Sequence, residues 1–116
     1  MELTSKSGMP LRVEHNEAQA RFEIFANDER VGLVEYVRNG DAVIFTHAEV
    51  SPSVSGQGVG TALVRSALDG VRERGLTAVP ICPFVVGYLE KHIGDYRAEG
   101  GKVRGATSED YALIPW

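Results

Sequence analysis

Apolar residues recur with a two-residue period through the first half of the chain, then change to steps of three and four after position 60. Met1 to Pro10 is polar and carries Ser, Gly and Pro, which predicts a flexible lead-in. Leu11 to Glu17 begins the first predicted strand, and Asn16-Glu17 marks a turn. Arg21-Phe-Glu-Ile-Phe-Ala alternates as a half-buried strand does, with Phe22 and Ile24 on one face, and Asn27-Asp28-Glu29 turns the chain. Val31 to Val37 is the next strand. Asn39-Gly40-Asp41 is a hairpin signal, so Ala42 to Val50 returns antiparallel and the strands form a meander. Strict alternation in that last strand puts Phe45, His47 and Glu49 on one face and Ile44, Thr46, Ala48 and Val50 on the other.

Thr61 to Arg74 reads as an amphipathic helix, with Leu63, Val64, Ala67, Leu68 and Val71 on one stripe, and Gly75 closes it. Leu76 to Ile81 is a buried strand whose helical crossover implies parallel pairing with Ala42 to Val50. Pro80 and Pro83 cannot donate to a ladder and end that strand, before a short helix over Phe84 to Ile93. The tail from Arg97 to Trp116 has glycines at 100, 101 and 105 and ends in Tyr-Ala-Leu-Ile-Pro-Trp, which suits an edge strand or a docking segment. The expected class is α/β (α+β): a mixed, mostly antiparallel sheet with a parallel strand pair and two main helices.

Between the last meander strand and the amphipathic helix lies Ser51-Pro-Ser-Val-Ser-Gly-Gln-Gly-Val-Gly-Thr61. Gly56, Gly58 and Gly60 admit positive φ and let a ligand approach without meeting a Cβ. The first turn of the helix offers N–H groups without internal partners. Its dipole adds on the order of 0.3–1 kcal/mol for a bound phosphate. The functional reading is a diphosphate cradle; the alternative is a bare strand-to-helix connection, which reads the same three glycines. Gly60 is followed by Thr61-Ala62 rather than Lys-Ser/Thr, which disfavours a nucleoside triphosphate. The Gly-x-Gly-x-Gly spacing after several short strands also departs from the dinucleotide pattern.

At 116 residues the chain is one domain, and 43% hydrophobic with 24% charged residues is ordinary globular composition. The formal net charge of −4 gives no basic footprint for nucleic acid or an anionic membrane. No long apolar run predicts a signal peptide or membrane span. Cys82 is the single cysteine, so no intramolecular disulfide is possible and a reducing compartment, the cytoplasm, is expected. Monomer or weak dimer is the expected state.

Ser55-Gly56-Gln57-Gly58-Val59-Gly60 resembles motif A of the GNAT superfamily, the N-acetyltransferases that use acetyl-CoA, whose loop reads Gln/Arg-x-x-Gly-x-Gly/Ala. Ser55 stands where Gln or Arg is usual, which keeps the backbone cradle and removes a side-chain contact. With Glu49-Val50 before the loop, Pro80-x-Cys82-Pro83-Phe84-Val85 after it and Tyr88-Leu89-Glu90-Lys91-His92 beyond, the chain resembles short single-domain GNAT-like proteins of the YjdJ type. The resemblance covers about Val13 to Tyr96. It implies a flexible N-terminus over 1–10, an acetyl-CoA-binding domain over 11–96 and a C-terminal extension over 97–116.

The same resemblance implies roles. The two parallel strands splay apart, the pantetheine arm pairs with backbone at Val50, and the diphosphate meets Ser55, Gly56, Gln57, Gly58, Val59, Gly60 and Thr61. Glu49 takes the amine proton directly or through water, and Tyr88 protonates the departing thiolate. As plain structure, His47 and Glu49 face solvent from a half-exposed sheet and Tyr88 is a packed aromatic. Cys82 is a pocket wall, an acyl-carrying nucleophile or a small buried apolar residue. The family's His-Pro-Glu-Tyr element is altered here to His92-Ile-Gly-Asp-Tyr96, which leaves His92 without an inherited role. Larger members place two helices after the first strand, and no stretch before Asn39 has that periodicity, so the acceptor side is expected to be open. The implied reaction is acetyl transfer from acetyl-CoA to a primary amine of a protein lysine, an N-terminus or a small molecule. The rival is a non-catalytic acyl-CoA-binding module, and a third reading is a scaffold domain without ligand.

Overall fold

The computed structural model describes residues 2–4 and 8–115, the first three as backbone alone. Twelve short elements follow one another: β1 (Glu2–Thr4), β2 (Pro10–Asn16), a 3-10 turn, β3 (Arg21–Ala26), β4 (Glu29–Asn39), β5 (Ala42–Val50), a second 3-10 turn (Pro52–Val54), α1 (Val59–Glu73), β6 (Thr77–Pro80), α2 (Pro83–Ala98), β7 (Lys102–Val103) and α3 (Ser108–Ala112). The seven strands form one sheet in chain order. β1 to β5 are antiparallel neighbours, while β5–β6 and β6–β7 are parallel, each joined by a crossover helix.

Local chemistry explains the turns. Asn27 and Asp28 both take positive φ (50° and 68°) between β3 and β4, and Gly40 does so (60°) between β4 and β5. Within the expected flexible lead-in, Glu2–Thr4 instead adds an edge strand against β2; the rest of that stretch up to Ser7 lies outside the described residues. β2 and β3 are joined by a 3-10 turn over Glu17–Gln19, without an intervening helix pair.

α1 and α2 pack on one face of the sheet. Leu63, Val64, Ala67, Leu68 and Val71 of α1 and Val85, Leu89 and Tyr96 of α2 join Phe22, Ile24, Val34, Tyr36, Val43 and Phe45 in the main core. The second face is split: Ala42, Ile44 and Val79 are covered by Ile114 of the tail, whereas β2 to β4 present charged rows to solvent. The tail, whose sequence suits an edge strand or a docking segment, adds the edge strand β7 and also packs Ile114 against β5 and β6.

The strict alternation expected in β5 is broken. Glu35 pairs with His47 and Tyr36 with Phe45, which leaves Thr46 as an extra residue. Val43 and Phe45 face the main core before the bulge, and Ala48 and Val50 do so after it. Phe45 thus shares a face with Ala48 and Val50, not with His47 and Glu49, and Ile44 lies on the opposite side. The helix expected to stop at Ile93 runs to Ala98, because Tyr96 is anchored in the core and donates to Leu68 O at 3.0 Å, which outweighs the propensity cost of Gly94. Among the described residues no helix is long and apolar enough to cross a membrane.

Candidate active site

The bulge also marks where two parallel strands part. β5 and β6 are in register from Ala42↔Thr77 to Phe45↔Pro80, and Phe45 O then accepts from both Ile81 N (3.1 Å) and Cys82 N (3.0 Å). Beyond that point the chain turns into α2 while β5 continues to Val50, so Thr46 to Val50 has no partner in β6. Pro83 at the first helical position enforces the departure, since it brings no N–H to a ladder and suits a helix start.

The loop after β5 leads straight into the first turn of α1. Gly56 and Gly58 both have φ of 78°, and Gly58 is the N-cap of α1. A glycine cap supplies no side-chain acceptor, and the first helical bond is Ala62 N to Gly58 O at 3.0 Å. The N–H groups of Val59, Gly60 and Thr61 therefore precede the helical ladder at the positive end of its dipole. Ser55, Gly56 and Thr61 are exposed, Gln57, Gly58 and Gly60 half-buried, and Val59 is buried as an apolar anchor for the turn.

Two clefts flank this turn. One, about 570 Å³, is lined by Arg30 to Leu33 of β4, Ala48 to Val50 of β5, Ser51, Pro52 and Phe84. The other, about 430 Å³, runs between α1 and α2 and is lined by Gly60, Thr61, Val64, Pro83, Phe84, Gly87, Tyr88, Lys91 and His92. Glu49 is thus in the first cleft and Tyr88 in the second.

His47 and Glu49 do point the same way, with Nε2 and Oε1 3.1 Å apart, and both are at least half exposed. Tyr88 is half-buried with its ring tilted over His92 at 4.5 Å between centroids. Burial pushes its hydroxyl pKa up, Arg65 opposes this, and Asp69, Glu99 and Asp95 reinforce it, so the phenol is a proton donor throughout the neutral range. Cys82 takes a place apart from both clefts: it is 1% exposed, within the main core at the N-cap of α2. Val50 lines the first cleft beside Gly60, where a Cβ would just touch Val50 Cγ2 and would crowd the Phe84 ring.

Phe84, Lys91 and His92 are lining residues whose place follows from Tyr88: on a helix, positions 84, 87, 88, 91 and 92 share one face. That spacing was available in the sequence. Lys91 makes no ion pair or side-chain hydrogen bond among the described residues, which leaves a positive charge in the groove that runs to the first turn of α1.

A short two-layer fold with a parting parallel pair and an uncapped Gly-rich helix start at its mouth defines an acyltransferase-like class. Residues 21–99 match the family of GCN5-related N-acetyltransferases, and the chain belongs to it. Protein NATD1 from Homo sapiens is 33% identical over 91 residues, covering 75% of this chain and 79% of its own. The Mus musculus protein is likewise 33% identical, covering 75% and 81%. A GCN5-like protein from Staphylococcus aureus, solved by NMR, shares the fold, with a TM-score of 0.60, 22% identity, and coverage of 84% of this chain and 91% of that one.

Proposed function

We propose that this protein is an acetyl-CoA-dependent N-acetyltransferase for primary amines, of the short YjdJ type. The observation that carries the reading is the stretch of β5 that has no partner on its β6 side and ends at the uncapped first turn of α1. The residues fit a thioester of this kind: backbone donors from Gly58 to Thr61 suit a diphosphate, and Gly56 and Gly58 bring no side chain against it. Ser55, Gln57 and Val59 complete the loop, and Lys91 supplies the cation that Ser55 does not.

When bound, acetyl-CoA supplies an activated acyl carbonyl. Ser51 N donates to Val31 O, so alternation along β5 turns the amides of Val50 and Ala48 toward the open side, where they can donate to an extended amide-bearing arm or to a carbonyl oxygen gaining charge. Glu49 accepts the proton of an incoming ammonium, directly or through water, since an amine of pKa about 10 is mostly protonated at neutral pH. Tyr88 holds the proton that a departing thiolate requires. The face of β2 to β4 turned away from α1 carries no helix among the described residues, so the acceptor is free to be a lysine or N-terminus of a folded protein as well as a small amine.

Incubation with acetyl-CoA and an amine panel, with free thiol and acylated product followed by mass spectrometry, tests the reading; no thiol release with any amine removes it. One observation favours the non-catalytic alternative: Glu49 and Tyr88 line different clefts. Separate substitution of Glu49, Tyr88 and Cys82 distinguishes the two, because a pure binder keeps its CoA-induced thermal shift and has no activity to lose.

A further inference from the structure

Phe84 belongs to neither packed cluster, and its ring is 47% exposed on the first turn of α2. Of the described residues it is the one that lines both clefts. The ring rests directly on α1: a methyl placed on Gly60 would lie 3.0 Å from Phe84 Cε1 and 3.5 Å from Val50 Cγ2. The ends of β5, α1 and α2 therefore meet at this ring, with no free passage beneath it. The backbone that carries it is fixed, because the amides of Ile81 and Cys82 are both held by Phe45 O and Pro83 sets the helix start. Movement at this point means rotation of the side chain, and the outer half of the ring is already in water.

We propose that Phe84 is a gate between the two clefts. This rests on the acetyl-CoA reading above. A ligand anchored by its phosphates at the first turn of α1 and presenting its thioester at the β5 edge has to cross the position of the ring. With the ring on Gly60, the groove of Lys91 and Tyr88 is separate from the cleft of Glu49 and Val50. Turned outward, it joins them into one channel, with the base and the acid on opposite sides of the arm. Phe84 then also decides what enters: a nucleotide without an arm occupies the groove and leaves the ring in place.

Trp116 is the chain's single tryptophan, so Phe84→Trp in a Trp116→Phe background reports on position 84 alone. Coenzyme A and adenosine 3′,5′-bisphosphate are titrated separately, with calorimetry run in parallel. The expected result is a shift in emission with coenzyme A and none with the bisphosphate at saturation. Binding of coenzyme A without a shift, or equal shifts with both, overturns the gate while leaving the acetyl-CoA reading intact. No heat from coenzyme A with the unsubstituted protein overturns both. Phe84→Ala provides a second measurement: its association rate with coenzyme A rises severalfold, and an unchanged or slower rate counts against the gate.

Discussion

At the scale of single residues, Glu49 and Tyr88 carry the proposed proton transfers. Glu49→Gln and Tyr88→Phe each lower kcat by roughly 100-fold with little change in coenzyme A affinity, as steady-state kinetics beside titration calorimetry will show. Because burial raises the Tyr88 pKa, activity has an alkaline limb above about pH 10, and Tyr88→Phe abolishes that limb. Cys82 answers differently. Held in the core, it resists thiol reagents until the protein unfolds, and Cys82→Ala keeps its turnover while costing about 1 kcal/mol of stability by denaturant titration. Retention of an acyl group on Cys82 by mass spectrometry would reverse that assignment. The placement of Glu49, the glycines and Tyr88 on their elements was legible because each stands at a fixed offset from a strand or helix end. The depth of Cys82 was not, since a cysteine at a strand terminus reads the same whether the next helix covers it or leaves it open.

Among the elements, the meander, the α1 stripe and the crossover could be read from periodicity, hairpin signals and Gly75. What escaped depends on contacts distant in sequence. The length of α2 is set by Tyr96, whose hydroxyl reaches Leu68 on α1, and the helix stops where Gly100 takes a φ of 97°. Gly101 follows because any Cβ there would overlap the Tyr96 ring. Gly101→Ala therefore destabilises by about 1–3 kcal/mol through overpacking, and Tyr96→Phe by about 1 kcal/mol through the lost hydrogen bond, both measurable by denaturant titration. Burial pushes the Tyr96 pKa up to about 12. A phenol that ionises more readily unfolded than folded favours unfolding from about pH 10 upward, so stability falls over that range and Tyr96→Phe flattens the fall.

For the whole molecule, the second face of the sheet is divided between a tail that covers β5 and β6 and a charged surface on β2 to β4. The tail is fastened by Asp110, fully buried, which takes a bidentate pair from Arg104 (2.6 and 3.1 Å), a bond from Asn39 Nδ2 (3.0 Å) and one from Thr107 N (2.8 Å). Arg104 first, then Asn39 and Thr107, hold its carboxyl well below the usual range. The resulting stabilisation is complete above about pH 4 and is lost as pH falls through the folded value. The melting-temperature gap between the protein and Asp110→Asn is accordingly constant near neutrality and narrows in acid. Composition gave no hint of this latch, because its members lie 71 positions apart in Asn39 and Asp110.

Thr46, the extra residue of β5, has a reach out of proportion to its size. Removing it makes Tyr36↔Phe45 and Glu35↔His47 consecutive pairs of an unbroken ladder, so Phe45, Ala48 and Val50 keep the helix side while His47 and Glu49 keep the solvent side. The extra residue thus governs the bend and twist of β5 where it leaves β6 rather than which side chains meet solvent, and deletion of Thr46 should retain the fold while weakening coenzyme A binding at the parted strands, as calorimetry will show.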